Sequence, residues 1–94
     1  MFKAKILENG DISFHGRLDA SQVDKANAAL GQVDKSCTIN FHDLEYISSA
    51  GLGVLISNEK RLKENGHTFR LIGLNKHIRD VFRYTGFDHI FEIE

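Results

Sequence analysis

The sequence predicts an α/β fold with a mixed, largely parallel sheet and helices packed against it. Apolar and polar residues alternate over most of the first eighteen positions, which is typical of strands with one buried face. Three later segments carry apolar residues every three or four positions, as amphipathic helices do, and short β-prone runs separate them. Helices that alternate with strands after an opening hairpin give the order β-β-α-β-α-β-α-β.

The opening hairpin is predicted from two alternating runs, residues 2–6 and 12–18. Between them, Asn9 and Gly10 suit a turn because both residue types tolerate positive φ. A first helix is predicted over residues 20–32. Its N-cap is Asp19 or Ser21, since a side-chain oxygen at that position accepts an amide hydrogen of the first turn.

The next strand is predicted to be short. Residues 37–41 are β-prone and apolar at alternate positions, so we predict a strand that ends near His42. The residues that follow show no regular period and are predicted as a loop up to Ser49.

A second helix is predicted from Ser49 to a stop at Asn65 and Gly66. One face of this helix carries Leu52, Leu55, Ile56, Glu59 and Leu62, and Glu59 pairs with Lys63 one turn later. Gly53 is expected to serve close packing of the helix.

The last third of the chain is predicted as a strand, a helix and a short final strand. The strand covers residues 67–74, the helix begins after Asn75 as its cap and closes at Gly86, and the final strand lies near residues 90–93.

Length and composition limit the function classes. A chain of 94 residues and 10.6 kDa is predicted to form one domain over residues 1–94, with a radius of gyration of roughly 12 Å. Its formal charge of −1 provides no general attraction to nucleic acid or anionic lipid. Cys37 is the only cysteine, so an internal disulfide is excluded. Charged residues early in the chain and short apolar runs argue against membrane insertion, and we expect a cytoplasmic protein.

The sequence matches no common enzyme template. A nucleophile elbow, a P-loop and a complete dinucleotide-binding glycine motif are all absent. Five histidines are scattered along the chain without the spacing of metal ligands. We therefore expect no catalytic residue, no cofactor and no metal site, and we interpret the protein as a binding module.

The most distinctive segment is residues 45–54, where the serine pair Ser48 and Ser49 lies between apolar residues and the predicted helix. One interpretation is helix capping by these hydroxyl groups. The other is a phosphorylation switch, because the positive end of a helix macrodipole tolerates a phosphate and its charge of about −1.5 to −2 alters the surface.

Residues 39–41 and 44–53 together resemble the signature of the STAS domain family, the anti-sigma factor antagonists. Residues 16–19, with the sequence Gly-Arg-Leu-Asp, are similar to the family's turn before its first helix. The predicted element order is similar to the family's as well, so the resemblance covers nearly the whole chain.

This resemblance implies a partner-switching module that regulates transcription. In the family the phosphorylated serine stands two residues before the motif's glycine, which places it at Ser49. The partners implied are an anti-sigma factor that is also a serine kinase and a serine phosphatase that removes the phosphate. We expect the partner-binding surface to be rimmed by Asp19, Ser48, Ala50, Gly51 and Leu52. For Leu52, burial on the apolar face of the helix is the alternative.

A second hypothesis keeps the fold and omits the phosphorylation. The family resemblance also covers adaptors and subunits of membrane transport systems. In that case substitution of Ser49 leaves the binding of the partner unchanged.

Overall fold

The computed structural model describes residues 1–94, and its five strands and three α-helices follow the predicted order. In chain order the elements are β1 (Phe2–Ile6), β2 (Ile12–Leu18), α1 (Val23–Leu30), β3 (Cys37–Ile47), α2 (Ser49–Glu64), β4 (Phe69–Ile72), α3 (Lys76–Thr85) and β5 (Glu92–Ile93), with 3₁₀ turns at Ala20–Gln22 and Phe87–His89. The predicted fold class is confirmed. The radius of gyration is 11.9 Å, in agreement with the expected value.

The strands follow one another across the sheet in the order β1-β2-β3-β4-β5. β1 is antiparallel to β2, and the remaining pairs are parallel. From β2 onwards, each helical connection leads to the neighbouring strand on the side towards β5. Because such connections are right-handed, α1, α2 and α3 all cover the same face of the sheet. The opposite face, which we call the open face, carries no helix.

Burial follows this one-sided arrangement. Twenty buried hydrophobic side chains form one cluster to which β1 to β4 and all three helices contribute. Along β2, buried residues alternate with partly exposed ones up to His15, so the polar side chains of Ser13 and His15 lie on the open face. No helix of the protein has the length and apolar character that crossing a membrane requires.

β3 is longer than predicted: it continues to Ile47 where the sequence pattern predicts a loop after His42. The prediction missed this part of the strand because its pairing with β2 is irregular. Ser13 lies opposite Asn40 whereas His15 lies opposite Asp43, so β3 contributes one extra residue there, and it does so again near Leu44.

These two bulges change the spacing of the buried residues in β3. Phe41, Leu44 and Ile47 all point into the core, three residues apart instead of two. Because this half of the strand lacks strict alternation of buried and exposed residues, its sequence predicts a loop.

The other boundaries differ by a few residues. The predicted helix 20–32 is a 3₁₀ turn followed by α1, which ends at Leu30, and the predicted strand 67–74 is reduced to β4. Asn75 caps α3 by accepting a hydrogen bond from the amide of Ile78 at 2.8 Å. Gly86 ends α3 in a left-handed conformation with φ of 77°.

Candidate functional site

The candidate site lies where the parallel strands β2 and β3 end. Leu18 and Ile47, the last residues of these strands, lie opposite each other. The amide of Ser48 donates a hydrogen bond of 2.9 Å to the carbonyl oxygen of Leu18. This bond places the start of α2 beside the turn that follows β2, at the carboxyl edge of the sheet, where open α/β folds bind ligands.

Ser48 caps α2. Its backbone is extended, with φ −89° and ψ 170°, and its hydroxyl oxygen accepts a hydrogen bond of 3.2 Å from the amide of Gly51. Its carbonyl oxygen accepts the first helical bond, from Leu52 at 2.9 Å. The capping interpretation therefore applies to Ser48, whose hydroxyl already has a structural partner.

Ser49 is the first residue of α2 and is exposed. Its hydroxyl makes no hydrogen bond within the protein, in contrast to that of Ser48. The amides of Ser49 and Ala50 belong to the first turn, whose N–H groups have no acceptor inside the helix. A negative charge on Ser49 therefore meets free N–H groups and the positive end of the macrodipole.

Asp19 lies at the same edge, directly after β2. One of its carboxylate oxygens accepts hydrogen bonds from the amide of Ser21 at 3.0 Å and from its hydroxyl at 2.6 Å. The hydroxyl bond is the main reason why the pKa of Asp19 lies below its ordinary value. Asp19 thus caps the 3₁₀ turn and stays ionised at neutral pH, so it contributes a negative charge at this edge.

The predicted rim residues divide into exposed and buried positions. Ala50 is exposed beside Ser49, and Asp19 and Ser48 are partly exposed. Leu52, in contrast, is only 3% exposed and belongs to the hydrophobic core. The expectation that its side chain rims a contact surface does not agree with this burial.

Gly51 is also buried, because α2 approaches β2 very closely at this residue. A Cβ atom at Gly51 would lie 2.8 Å from Cγ of Leu18 and 3.0 Å from Cγ1 of Ile47. The absence of a side chain therefore serves the packing of the helix onto the sheet, which is the role that the sequence analysis assigned to Gly53. For Gly53 that assignment is wrong: it is exposed, and a Cβ atom there would contact nothing within 4 Å.

A cation lies near the same end of the strands. The guanidinium group of Arg17 stacks over the ring of Tyr46, 4.5 Å from its centroid. These two residues are opposite each other on β2 and β3. The sequence pattern does not indicate this pair, because the bulges in β3 set the register that brings the two side chains together.

The structure also brings together two histidines that the sequence leaves far apart. Nδ1 of His15 lies 3.4 Å from one carboxylate oxygen of Asp43, and Nδ1 of His42 lies 3.1 Å from the other. The only available sequence signal is Ser13 and His15 on the outward side of a strand, since the position of Asp43 depends on the bulge. The described residues contain no group of three or more side chains suited to a metal ion.

Comparison with known proteins identifies the family. The family model described as "Mlab, STAS domain" matches residues 4–92. BtrV of Bordetella bronchiseptica, designated an anti-sigma factor antagonist, is 34% identical over 82 residues, which cover 83% of this chain and 71% of BtrV. The anti-sigma-B factor antagonist of Listeria monocytogenes is 30% identical over 96 residues, covering 98% of this chain and 84% of that protein.

Solved structures share the fold. SpoIIAA in its unphosphorylated form superimposes with a TM-score of 0.68 at 21% identity, covering 89% of this chain and 83% of that one. The phosphorylated form of Bacillus SpoIIAA gives a TM-score of 0.70 at 20% identity, covering all of this chain and 91% of that one. From the family match and the curated relatives, we conclude that this chain belongs to the STAS domain family.

Proposed function

We propose that this protein is an anti-sigma factor antagonist whose binding is switched by phosphorylation of Ser49. In the unphosphorylated state it sequesters an anti-sigma factor that is also a serine kinase, and the sigma factor is released. The kinase then phosphorylates Ser49 and the complex dissociates, until a serine phosphatase restores the hydroxyl. Two relatives that bear the name anti-sigma factor antagonist support this assignment.

The observation that carries the proposal is the difference between the two adjacent serines. The Ser48 hydroxyl is occupied by the cap of α2, whereas the Ser49 hydroxyl is exposed and has no partner. A kinase can therefore modify Ser49 without removing a contact that holds the fold together. The free amides of the first helical turn accommodate the phosphate within the protein itself.

Electrostatics explains how the phosphate acts on a partner. Phosphorylation adds a charge of about −1.5 to −2 at neutral pH. Asp19, ionised at the same edge, makes the local potential still more negative. A partner surface that fits a neutral hydroxyl must then desolvate a dianion, and a loss of about 3 kcal/mol corresponds to roughly 150-fold in affinity.

The contact surface that we propose consists of Asp19, Ser48, Ser49 and Ala50. The small side chain of Ala50 allows the partner to approach the hydroxyl of Ser49 closely. Gly51 and Leu52 contribute by fixing α2 on the sheet, not by touching the partner. We propose that the chain performs no catalysis in this cycle, that it needs no nucleic acid or cofactor, and that it works in the cytoplasm.

The test is binding of the cognate anti-sigma factor kinase to wild type and to Ser49→Asp. We expect the aspartate to weaken binding at least about tenfold, since it places one negative charge at the switch position. Incubation of wild type with the kinase and ATP is expected to add one phosphate, located at Ser49 by peptide mass spectrometry.

Ser57→Asp is the matched control. Ser57 is exposed on the same helix, two turns and about 12 Å from Ser49, so it receives the same charge away from the cap. Binding should remain within about twofold of wild type. Equal binding by wild type, Ser49→Ala and Ser49→Asp, together with co-purification of a transport ATPase, would instead indicate a STAS adaptor or a subunit of a membrane transport system.

A further inference from the structure

A polar cluster on the open face of the sheet takes no part in the proposed switch. It consists of Ser13 and His15 on β2 and of Asn40, His42 and Asp43 on β3, and we call it the open-face cluster. Its residues lie upstream of the strand ends, whereas Ser49 lies beyond them at the start of α2. Each of its contacts is therefore independent of the phosphorylation site.

In three of these residues, a hydroxyl, an imidazole and a carboxylate lie next to one another: Ser13, His15 and Asp43. The hydroxyl oxygen of Ser13 lies 3.0 Å from Nε2 of His15, and Nδ1 of the same ring lies 3.4 Å from Oδ2 of Asp43. The carboxylate beside Nδ1 favours the ring tautomer whose proton is on that nitrogen. Nε2 is then free to accept a hydrogen bond from the Ser13 hydroxyl, which is the arrangement that activates a serine nucleophile.

The bulge in β3 produces this alignment. In a regular ladder that continues from Ser13 opposite Asn40, His15 would face His42. The extra residue shifts the register so that His15 faces Asp43 instead. The second oxygen of Asp43 lies 3.1 Å from Nδ1 of His42, so the carboxylate is held between two imidazole rings.

Asn40 supplies a hydrogen-bond donor next to the serine. It lies directly opposite Ser13 in the parallel ladder, so both side chains are on the same face. Its Oδ1 accepts a hydrogen bond of 2.9 Å from the amide of His42, and its Nδ2 makes no hydrogen bond within the protein. Gly73 leaves the space for this conformation, since a Cβ atom there would lie 2.7 Å from Oδ1 of Asn40.

We propose that Ser13 is a nucleophilic serine that becomes acylated by activated acyl donors. Its Oγ attacks the acyl carbonyl carbon while its proton moves to Nε2 of His15. The bond from that carbon to the leaving group then breaks, and the His15 proton passes to the departing oxygen or sulfur. The product is an ester on Ser13, and no electrons are exchanged.

The surrounding residues fit this step. The free amide of Asn40 can donate a hydrogen bond to the carbonyl oxygen as it becomes negative, as an oxyanion-hole side chain does. Lys5 is opposite Ser13 and Lys3 is opposite His15 across the hairpin, so two cations lie on the same face. They favour a donor with an anionic leaving group.

The experiment uses the whole chain and p-nitrophenyl acetate as the acyl donor. We expect release of one nitrophenolate per chain and an acetyl group on Ser13, located by peptide mass spectrometry. Ser13→Ala removes this acetyl group, and Ser57→Ala, a change at an exposed serine outside the cluster, leaves it unchanged. His15→Ala is expected to slow acetylation about 100-fold, which is the contribution of a general base.

Asp43 is a positioning residue, and its test is rescue of acetylation by a conservative variant. Its carboxylate lies between the rings of His15 and His42. Asp43→Asn removes this carboxylate, and we expect acetylation of Ser13 to become about tenfold slower. Asp43→Glu keeps a carboxylate and is expected to restore most of the rate, whereas a merely structural role leaves Asp43→Asn at the wild-type rate.

Acetylation of lysines alone, or acetylation of Ser13 at equal rates in wild type and His15→Ala, overturns the proposal. None of these results depends on Ser49, so failure here leaves the proposed switch untouched.

Discussion

At the scale of single residues, the two adjacent serines show how one helical position changes the chemistry of a side chain. Ser48 has extended backbone and turns its hydroxyl back to the amide of Gly51, whereas Ser49 has entered the helix and points its hydroxyl to solvent. Local sequence predicted that hydroxyl groups stand at this helix start. It left open which of the two is free, because that depends on where the helix begins.

Cys37 is a residue whose chemistry is set by its surroundings. Burial, with a smaller contribution from the carboxylate of Asp11, raises the pKa of its thiol from 9.0 to about 11. Since the thiolate is the nucleophile, we expect iodoacetamide to alkylate Cys37 far more slowly in the native protein than in urea. The native rate should rise with pH up to about 11, as followed by mass spectrometry.

The same shift affects stability at high pH. Above pH 9.0 the unfolded chain loses the thiol proton while the native protein keeps it, so the free energy of unfolding falls as pH rises towards about 11. Cys37→Ala should lack this component, which denaturation at several pH values measures. Equal pH dependence of the variant and wild type would contradict the assignment.

Glu59 is a buried carboxylate with a structural task. It is 1% exposed, and its oxygens accept hydrogen bonds from the amide of Phe69 at 2.8 Å and from the hydroxyl of Thr68 at 2.5 Å. Lys63 lies 3.6 Å away, so the predicted pair exists. These bonds connect α2 to the start of β4, which the helical pattern alone did not indicate.

Removal of this carboxylate should destabilise the protein strongly. Glu59→Ala leaves the buried amide of Phe69 without an acceptor, and we expect a loss of about 3 kcal/mol in the free energy of unfolding, measured with urea. Glu59→Gln keeps a carbonyl acceptor and should lose about half as much. A change below about 0.5 kcal/mol for the alanine variant would show that these bonds contribute little.

At the scale of elements, α2 combines a packed side with an unpartnered one. Gly51 faces Leu18 at a distance that excludes a methyl group, and Gly53, half a turn away, faces open space. Both are glycines in the first two turns of one helix. Close packing was predicted for Gly53, whereas the contact with β2 assigns it to Gly51.

Alanine at these two positions should therefore have opposite effects. Gly51→Ala forces a methyl group against Leu18 and Ile47, and we expect a loss of about 1–3 kcal/mol in the free energy of unfolding. Gly53→Ala adds helix propensity without a clash and should gain up to about 1 kcal/mol. Urea denaturation of both variants provides the comparison, and the same sign for both would contradict the structure.

At the scale of the whole molecule, a series of phenylalanines runs through the core, along the helix-covered face of the sheet, from the β1 edge towards the β5 edge. Their ring centroids are 5.1–6.2 Å apart, in tilted or edge-to-face contacts. The members are Phe2, Phe14, Phe41, Phe82 and Phe91. They join the hairpin, β3, α3 and the C-terminal segment into one cooperative core.

Phe41 is the central ring of this series and is fully buried. Phe41→Ala should cost about 3–5 kcal/mol, which is a large share of the total stability of about 5–15 kcal/mol of such a domain. The control is Tyr84→Ala, an aromatic residue that is 87% exposed, for which we expect a change within about 0.5 kcal/mol. Thermal or chemical denaturation measures both, and equal effects would show that the series is not the core.

Local sequence is enough to predict the order of the elements, the hairpin turn, the cap at Asn75 and the stop at Gly86. It also placed two hydroxyl groups at the start of α2. These features depend on neighbouring residues along the chain, through backbone preferences, capping side chains and the spacing of apolar residues. Local chemistry is sufficient to specify them.

Tertiary packing sets the length of β3, the burial of Glu59 and the convergence of His15 and His42 on Asp43. It also decided that all helices cover one face of the sheet. Each of these depends on the register between strands or on packing between residues distant in sequence. One extra residue in β3 shifts the register, so that His15 lies opposite Asp43 and not opposite His42. No local sequence pattern indicates this shift.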